Sequence, residues 1–161
     1  MSTFRLTPNF TIGEFAVSRT HPQLVEPVPD ALGPNVVRLA VFQMQPLREA
    51  IGRAVTINSG YRPRALNDAL GGSPTSQHTN AEAVDWTCAN LRRVFEDVML
   101  GRVGWDSRHV GQVIFYPARN FVHSALPSTR YPRPTFCLHW PERGHTYRVM
   151  ENVAELRRLV P

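Results

Sequence analysis

Asp85 follows His78 by seven positions, in the stretch Ser76-Gln77-His78-Thr79-Asn80-Ala81-Glu82-Ala83-Val84-Asp85-Trp86. An imidazole and a carboxylate are good zinc ligands, and a catalytic zinc commonly takes three protein ligands and keeps one position open. His123, in Asn120-Phe121-Val122-His123-Ser124, is the candidate third ligand. The spacing restricts the local structure. On one helix, seven residues rise about 10 Å, too far for His78 and Asp85 to share an ion. The segment must therefore turn back, with Thr79-Asn80-Ala81 supplying the bend and Ala83-Val84-Asp85 running extended toward the imidazole. Taken alone, the pair is weak evidence of a metal site, and a loop histidine with a capping aspartate is the plainer reading.

The elements that must position these residues can be read from punctuation and periodicity. Thr11 is placed to cap a helical turn over Ile12-Gly13-Glu14-Phe15. A helix is expected from Gly33-Pro34 to Ile51, ended by Gly52, with a kink or break at Pro46. Ala54–Ser59 reads as a strand, Arg62–Leu70 as a helix, Ser73–Asn80 as a loop, Ala83–Trp86 as a strand and Leu91–Leu100 as a helix. Val110–Tyr116 and Phe121–Ser124 read as two strands joined by a turn at Pro117–Asn120. Residues 127–134 carry three prolines and read as a loop. Thr135–Trp140 and Thr146–Met150 form a further expected strand pair around a turn at Pro141–Gly144, and Glu151–Leu159 a terminal helix. Strands and helices mix without regular βαβ alternation, which predicts an α+β fold with a small antiparallel sheet and flanking helices.

The chain has 161 residues, the size of one ordinary domain, and a single domain over 1–161 is expected. At 42% hydrophobic and 19% charged residues it reads as globular rather than disordered. No apolar run is long enough to span a bilayer, and Met1-Ser2-Thr3-Phe4-Arg5 has no apolar core of a secretory signal. Cys88 and Cys137 are too few for a disulfide framework and read as small buried hydrophobes. The net charge is +5 and all 18 basic residues are arginine, which favours anionic partners such as a cell wall or nucleic acid. The arginines are scattered, however, and no zinc-finger spacing or ribonucleoprotein motif accompanies them, so nucleic acid is an unlikely partner.

Several motifs in order resemble one family. Asn58-Ser59-Gly60-Tyr61-Arg62, Leu66-Asn67, Gly71-Gly72 and the stretch from Ser76 to Asp85 are similar to the zinc D-alanyl-D-alanine carboxypeptidases, which include phage endolysins and other peptidoglycan peptidases. Ser76, His78, Ala83 and Asp85 fit that family's Ser-x-His-x-x-Gly-x-Ala-x-Asp signature, while Ala81 stands where Gly is expected. Phe10–Phe15, Gln45-Pro46-Leu47-Arg48 and Tyr116-Pro117 with Asn120–His123 look like phage-type members, so the similarity covers roughly residues 10–126. The resemblance implies a hedgehog/DD-peptidase-like fold and a zinc ion held by His78, Asp85 and His123. It further implies that Arg62 binds substrate at a developing oxyanion or a carboxylate, and that Ser76 and Gln77 contact substrate or orient their loop. A structural ion pair is the plain alternative for Arg62, and loop capping for Ser76 and Gln77.

The same comparison leaves the proton-transfer group unassigned. Relatives carry an acid three residues before the third ligand or two after it; here those positions are Asn120 and Ala125. Glu82, His139, Glu142 and His145 are weaker candidates, and His109 and His139 suit structural roles. Trp86 and Trp140 could line a groove but read first as core. The implied activity is hydrolysis of peptide bonds in peptidoglycan stems by a phage lysin or virion-associated protein. The working place would be the host cytoplasm before release to the wall, or the virion, with other virion proteins as partners. The alternative is an inactive descendant serving as a wall-binding or phage structural module.

Overall fold

The computed structural model describes residues 4–139 and 147–160. Six strands form one sheet: β1 (Val55–Ser59), β2 (Ala83–Cys88), β3 (Gln112–Tyr116), β4 (Phe121–Ala125), β5 (Thr135–His139) and β6 (Tyr147–Val149), in the spatial order β1-β2-β4-β3-β5-β6. Five helices accompany them: α1 (Gly33–Leu39), α2 (Gln45–Ile51), α3 (Arg64–Ala69), α4 (Leu91–Met99) and α5 (Val153–Leu159). The expected α+β architecture with flanking helices is present. The sheet is antiparallel except at one seam, where β3 and β5 run parallel. The expected hairpins β3–β4 and β5–β6 both form. What joins them is the Pro-rich segment 127–134, which carries the chain past β3 so that β5 enters in the same direction.

The two faces of the sheet have different jobs. Val84 and Trp86 of β2, Val122 of β4, Val113 and Phe115 of β3 and Leu138 of β5 are buried together with Leu39, Met44 and Leu47 from the α1–α2 arm, Phe95 of α4 and Leu156 of α5. The alternate residues of the same strands, Asp85 and His123 among them, point to the other face, because side chains alternate along a strand. Trp86 is core, as read from sequence, and its indole donates to Ser124 Oγ at 3.2 Å. Glu96 of α4 is buried, 3% exposed, and its carboxylate holds Arg157 of α5 at 2.8 Å and Arg92 at 3.4 Å.

Those arginines hold the Glu96 carboxyl below its ordinary value of 4.5, the hydrogen bond from Arg157 outweighing the opposing effect of burial. A depressed folded-state pKa contributes stability that is complete above the unfolded value and is lost as pH falls through the folded one. Glu96→Gln is therefore expected to cost about 1 kcal/mol at pH 7, since the arginines are partly solvated. Urea melts of the two proteins should converge as the pH falls through the depressed folded-state value of Glu96; a gap that persists unchanged into acid contradicts this assignment.

Pro46 does not break its helix. The α1 and α2 segments are continuous through a π turn, Ala40–Met44, where Gln45 N–H bonds Ala40 O. Proline lacks the N–H that would bond four residues back, and its ring would collide with that carbonyl; a wider turn removes both problems. Gly52 ends α2 in the left-handed conformation, as expected. The helix expected from Arg62 starts instead at Arg64, because the residue before a proline is driven out of helical conformation and Pro63 follows Arg62. Thr11 and Glu14 close the first turn, Thr11 N–H donating to Glu14 Oε2 at 2.7 Å. The Pro141–Gly144 turn, Trp140, Glu142 and His145 lie outside the described residues.

Candidate metal centre

Asp85 and His123 meet because β2 and β4 are neighbours in a register that sets them directly opposite each other. His78 comes from the 3-10 turn Gln77–Asn80, whose N-cap, Ser76, accepts from His78 N–H through its Oγ. The return toward β2 is made at Ala81, which adopts a left-handed conformation, φ 53 and ψ 30. This is the bend that the His78–Asp85 spacing required. It also explains why the family signature prefers glycine there: a Cβ makes the left-handed region costly by about 1 kcal/mol.

The three side chains converge. His78 Nε2 lies 3.2 Å from Asp85 Oδ1 and 3.2 Å from His123 Nδ1, and His123 Nδ1 lies 2.9 Å from Asp85 Oδ1. Zinc bonds of about 2.0–2.1 Å in a tetrahedron separate ligand atoms by roughly 3.3 Å. The observed triangle thus has nearly the dimensions of one face of a zinc tetrahedron. Orientation fits as well. His78 Nδ1–H donates to Gly60 O at 2.7 Å, which fixes the tautomer and leaves the Nε2 lone pair facing Asp85 and His123. Burial pushes the His78 imidazole below its ordinary pKa, the Asp85 charge only partly opposing it. Burial alone would raise the Asp85 carboxyl, but the imidazoles of His78 and His123 hold it well below the usual carboxylate range. A neutral imidazole and an ionised carboxylate are the states that bind a metal.

The loop 59–62 supports this triangle. A bulge between Ile57 and Ser59 shifts the β1–β2 register, so Ser59 faces Asp85 rather than continuing the core side of Ile57. Ser59 Oγ accepts from Arg62 Nε at 2.8 Å, and Arg62 Nη2 pairs with Asp85 Oδ2. The Asp85 carboxylate is thereby divided, one oxygen for the ligand triangle and one for the guanidinium. Arg62 N–H donates to His78 O, and Tyr61 N–H donates to Phe15 O at 2.7 Å. The segment Phe10–Phe15 therefore reaches the centre through backbone, by clamping the loop that carries Gly60 and Arg62. Asn67 does a similar service for Gly71-Gly72, donating to the carbonyls of Gly72 and Ser73.

The other candidates are placed as follows. Gln77 Nε2 donates to Leu126 O at 3.0 Å, tying the ligand turn to the end of β4, and Ser76 caps that turn. Asn120 is exposed and left-handed, φ 53, and lines a groove with Cys88, Asn90, Leu91 and Arg92, apart from the ligand triangle. Ala125 is fully buried. Among the described residues, no fourth histidine or acidic side chain joins His78, Asp85 and His123. His109 is stacked on Phe42 at 3.8 Å and accepts from Arg38, the structural role expected for it. Free thiols are found at both cysteines, and burial pushes each up to about 11. The Gly60 carbonyl and the Ser59 hydroxyl escaped the sequence reading as site groups. Their motif was visible, but a backbone oxygen and a bulge leave no residue-type signal.

A family model described as Peptidase M15 matches residues 8–125, which takes in all three candidate ligands, the supporting loop and the Phe10–Phe15 clamp. No curated protein matches the chain.

Proposed function

The chain belongs to the peptidase M15 family, and from that premise we propose that it is a zinc-dependent peptidase cleaving peptide bonds in the stems of bacterial peptidoglycan. The observation that carries this reading is the ligand triangle of His78, Asp85 and His123, with edges between 2.9 and 3.2 Å. Zinc held there would supply Lewis acidity to a scissile carbonyl and lower the pKa of a water toward about 7.

The chain's own groups do the rest. Gly60 O keeps His78 in the ligating tautomer, and Arg62 holds Asp85 Oδ2 and so aims the carboxylate. Arg62 Nη1 has no hydrogen bond among the described residues, and in this reading it is the donor available to a substrate oxygen. Ser76 and Gln77 act by orienting the ligand turn. Asn120 takes no part in proton transfer, since an amide does not titrate. The positive net charge favours approach to an anionic wall. Among the described residues no helix is long and apolar enough to cross a membrane. Release from a phage-infected cell or carriage in a virion is the setting we propose for such a protein.

A second reading, an inactive wall-binding or phage structural module, is favoured by one observation: the ligand triangle has no carboxylate beyond Asp85 among the described residues. One experiment separates the two. Purified protein should contain close to one zinc per chain and release new amino groups from peptidoglycan, with mass spectrometry locating the cut. Chelation should remove at least about 100-fold of that activity, and added zinc should restore it. Stoichiometric zinc without amine release favours the inactive module, while a protein that takes up no zinc rules out the metallopeptidase.

A further inference from the structure

The face of the sheet that carries His123 also carries a run of aromatic side chains. Tyr116 of β3 sits opposite Phe121 of β4, two positions along from His123, and its ring is stacked between Phe121, 4.3 Å away, and His139 of β5, 4.6 Å away. Tyr147 of β6 pairs with His139 and meets the Tyr116 ring edge-on at 6.2 Å. Four strands thus contribute one row of rings beside the ligand triangle. Strand spacing of about 4.8 Å and a rise of about 3.3 Å per residue put the Tyr116 and His123 backbones roughly 8 Å apart, the length of two to three residues of extended peptide.

Core packing does not account for this row, because its polar ends face solvent. Tyr116 Oη–H donates to Tyr147 Oη at 3.1 Å, on an exposed side of the molecule, and Tyr147 is 44% exposed. A phenol has one proton to give. Tyr147 oxygen accepts from Tyr116, so its own proton is directed outward and is polarised by the bond it receives. Burial, together with Tyr147 and the charge of Asp85, pushes the Tyr116 phenol upward, so this donor stays protonated across the neutral range. The stacked rings on both faces of Tyr116 leave it little freedom, which makes the hydroxyl pair preorganised.

We propose that Tyr147, held by Tyr116, is a substrate-positioning residue: its hydroxyl donates to a carbonyl or carboxylate oxygen of the peptide stem two to three residues from the bond cut, and the Phe121–Tyr116–His139 stack is the wall against which that stem lies. This deepens the peptidase reading and rests on it for the identity of the ligand. An extended peptide presents carbonyl oxygens at regular intervals, and an outward hydroxyl donor on a rigid wall matches one of them.

The test uses the full chain with Tyr147→Phe and Tyr116→Phe, each compared with wild type for zinc content, thermal melting, KM and kcat on soluble stem peptide, and co-sedimentation of chelator-treated protein with insoluble peptidoglycan. Tyr147→Phe should raise KM about tenfold, the size of one neutral hydrogen bond, with kcat within about twofold and zinc content unchanged. Tyr116→Phe should move KM in the same direction by less, since Tyr147 keeps its proton but loses its orientation. Unchanged KM in Tyr147→Phe overturns the proposal, as does a fall in kcat at constant KM. Should wild type hold zinc but cut nothing, the peptidase reading fails by itself. The positioning role is then decided by sedimentation: weaker retention of Tyr147→Phe on the wall supports it, while equal retention, or no retention of wild type, overturns it.

Discussion

His78→Ala is expected to yield a folded protein that no longer keeps zinc through dialysis and, on the proposed peptidase reading, no longer releases amino groups from peptidoglycan. The ligand triangle has no spare member: among the described residues, only Asp85 and His123 share the centre with His78. Replacing an outer partner of a ligand costs roughly 10–100-fold in metal affinity, and removing a ligand outright should exceed about 100-fold. The variant also leaves Asp85 ionised beside Arg62 without its second imidazole, so the Asp85–Arg62 pair survives and the fold with it. Zinc content by mass spectrometry and circular dichroism on the same sample decide the matter. Wild-type zinc content together with wild-type digestion in His78→Ala sinks the assigned ligand set.

Gly60→Ala should have the second largest effect, although glycine to alanine adds one methyl group. A Cβ at Gly60 would stand 2.3 Å from Phe15 O and 2.9 Å from Phe15 Cα, and both are backbone atoms that cannot rotate aside. The chain must shift at the loop that supplies two contacts to the centre and is itself clamped by a third. Gly60 O accepts from His78 Nδ1–H, Tyr61 N–H holds Phe15 O, and Arg62 pairs with Asp85. Overpacking of this kind typically costs about 1–3 kcal/mol. Loss of the carbonyl that orients His78 should weaken zinc binding by about 10–100-fold. Gly60→Ala is therefore expected to lower both the melting temperature and zinc affinity, whereas Gly33→Ala, where a Cβ meets nothing within 4 Å, should leave zinc binding intact. A Gly60→Ala protein with wild-type affinity would show that the Gly60 carbonyl is dispensable for orienting His78.

Much of the centre was legible in the order of residues. His78 and Asp85 are close in sequence, and the turn between them was forced by their spacing, so a bend within Thr79-Asn80-Ala81 was required, and the fold places it at Ala81. Arg62 was legible only through the resemblance: its local pattern reads as the start of a helix, whereas Pro63 bars it from α3 and leaves it in the extended loop that reaches Asp85. The strand pairs β3–β4 and β5–β6 were readable because each closes through a short connection. The π turn before Pro46 was not, because a proline in a helical pattern signals that something must yield without saying which residues widen.

The order of residues, read with the family resemblance, pointed to His78, Asp85 and His123 as candidate ligands and to the missing acid at Asn120 and Ala125, while local punctuation required a return between His78 and Asp85 and the two hairpins. The β2–β4 register that sets Asp85 opposite His123, the bulge that turns Ser59 toward Asp85, and the parallel β3–β5 seam that brings His139 and Tyr147 beside Tyr116 were decided only by tertiary structure. The physical reason is the same for all three. A one-residue change in register moves every side chain of a strand to the opposite face, and that choice is made by the buried partners Val84, Trp86, Val122 and Phe115 acting together, across stretches of chain that carry no local record of one another.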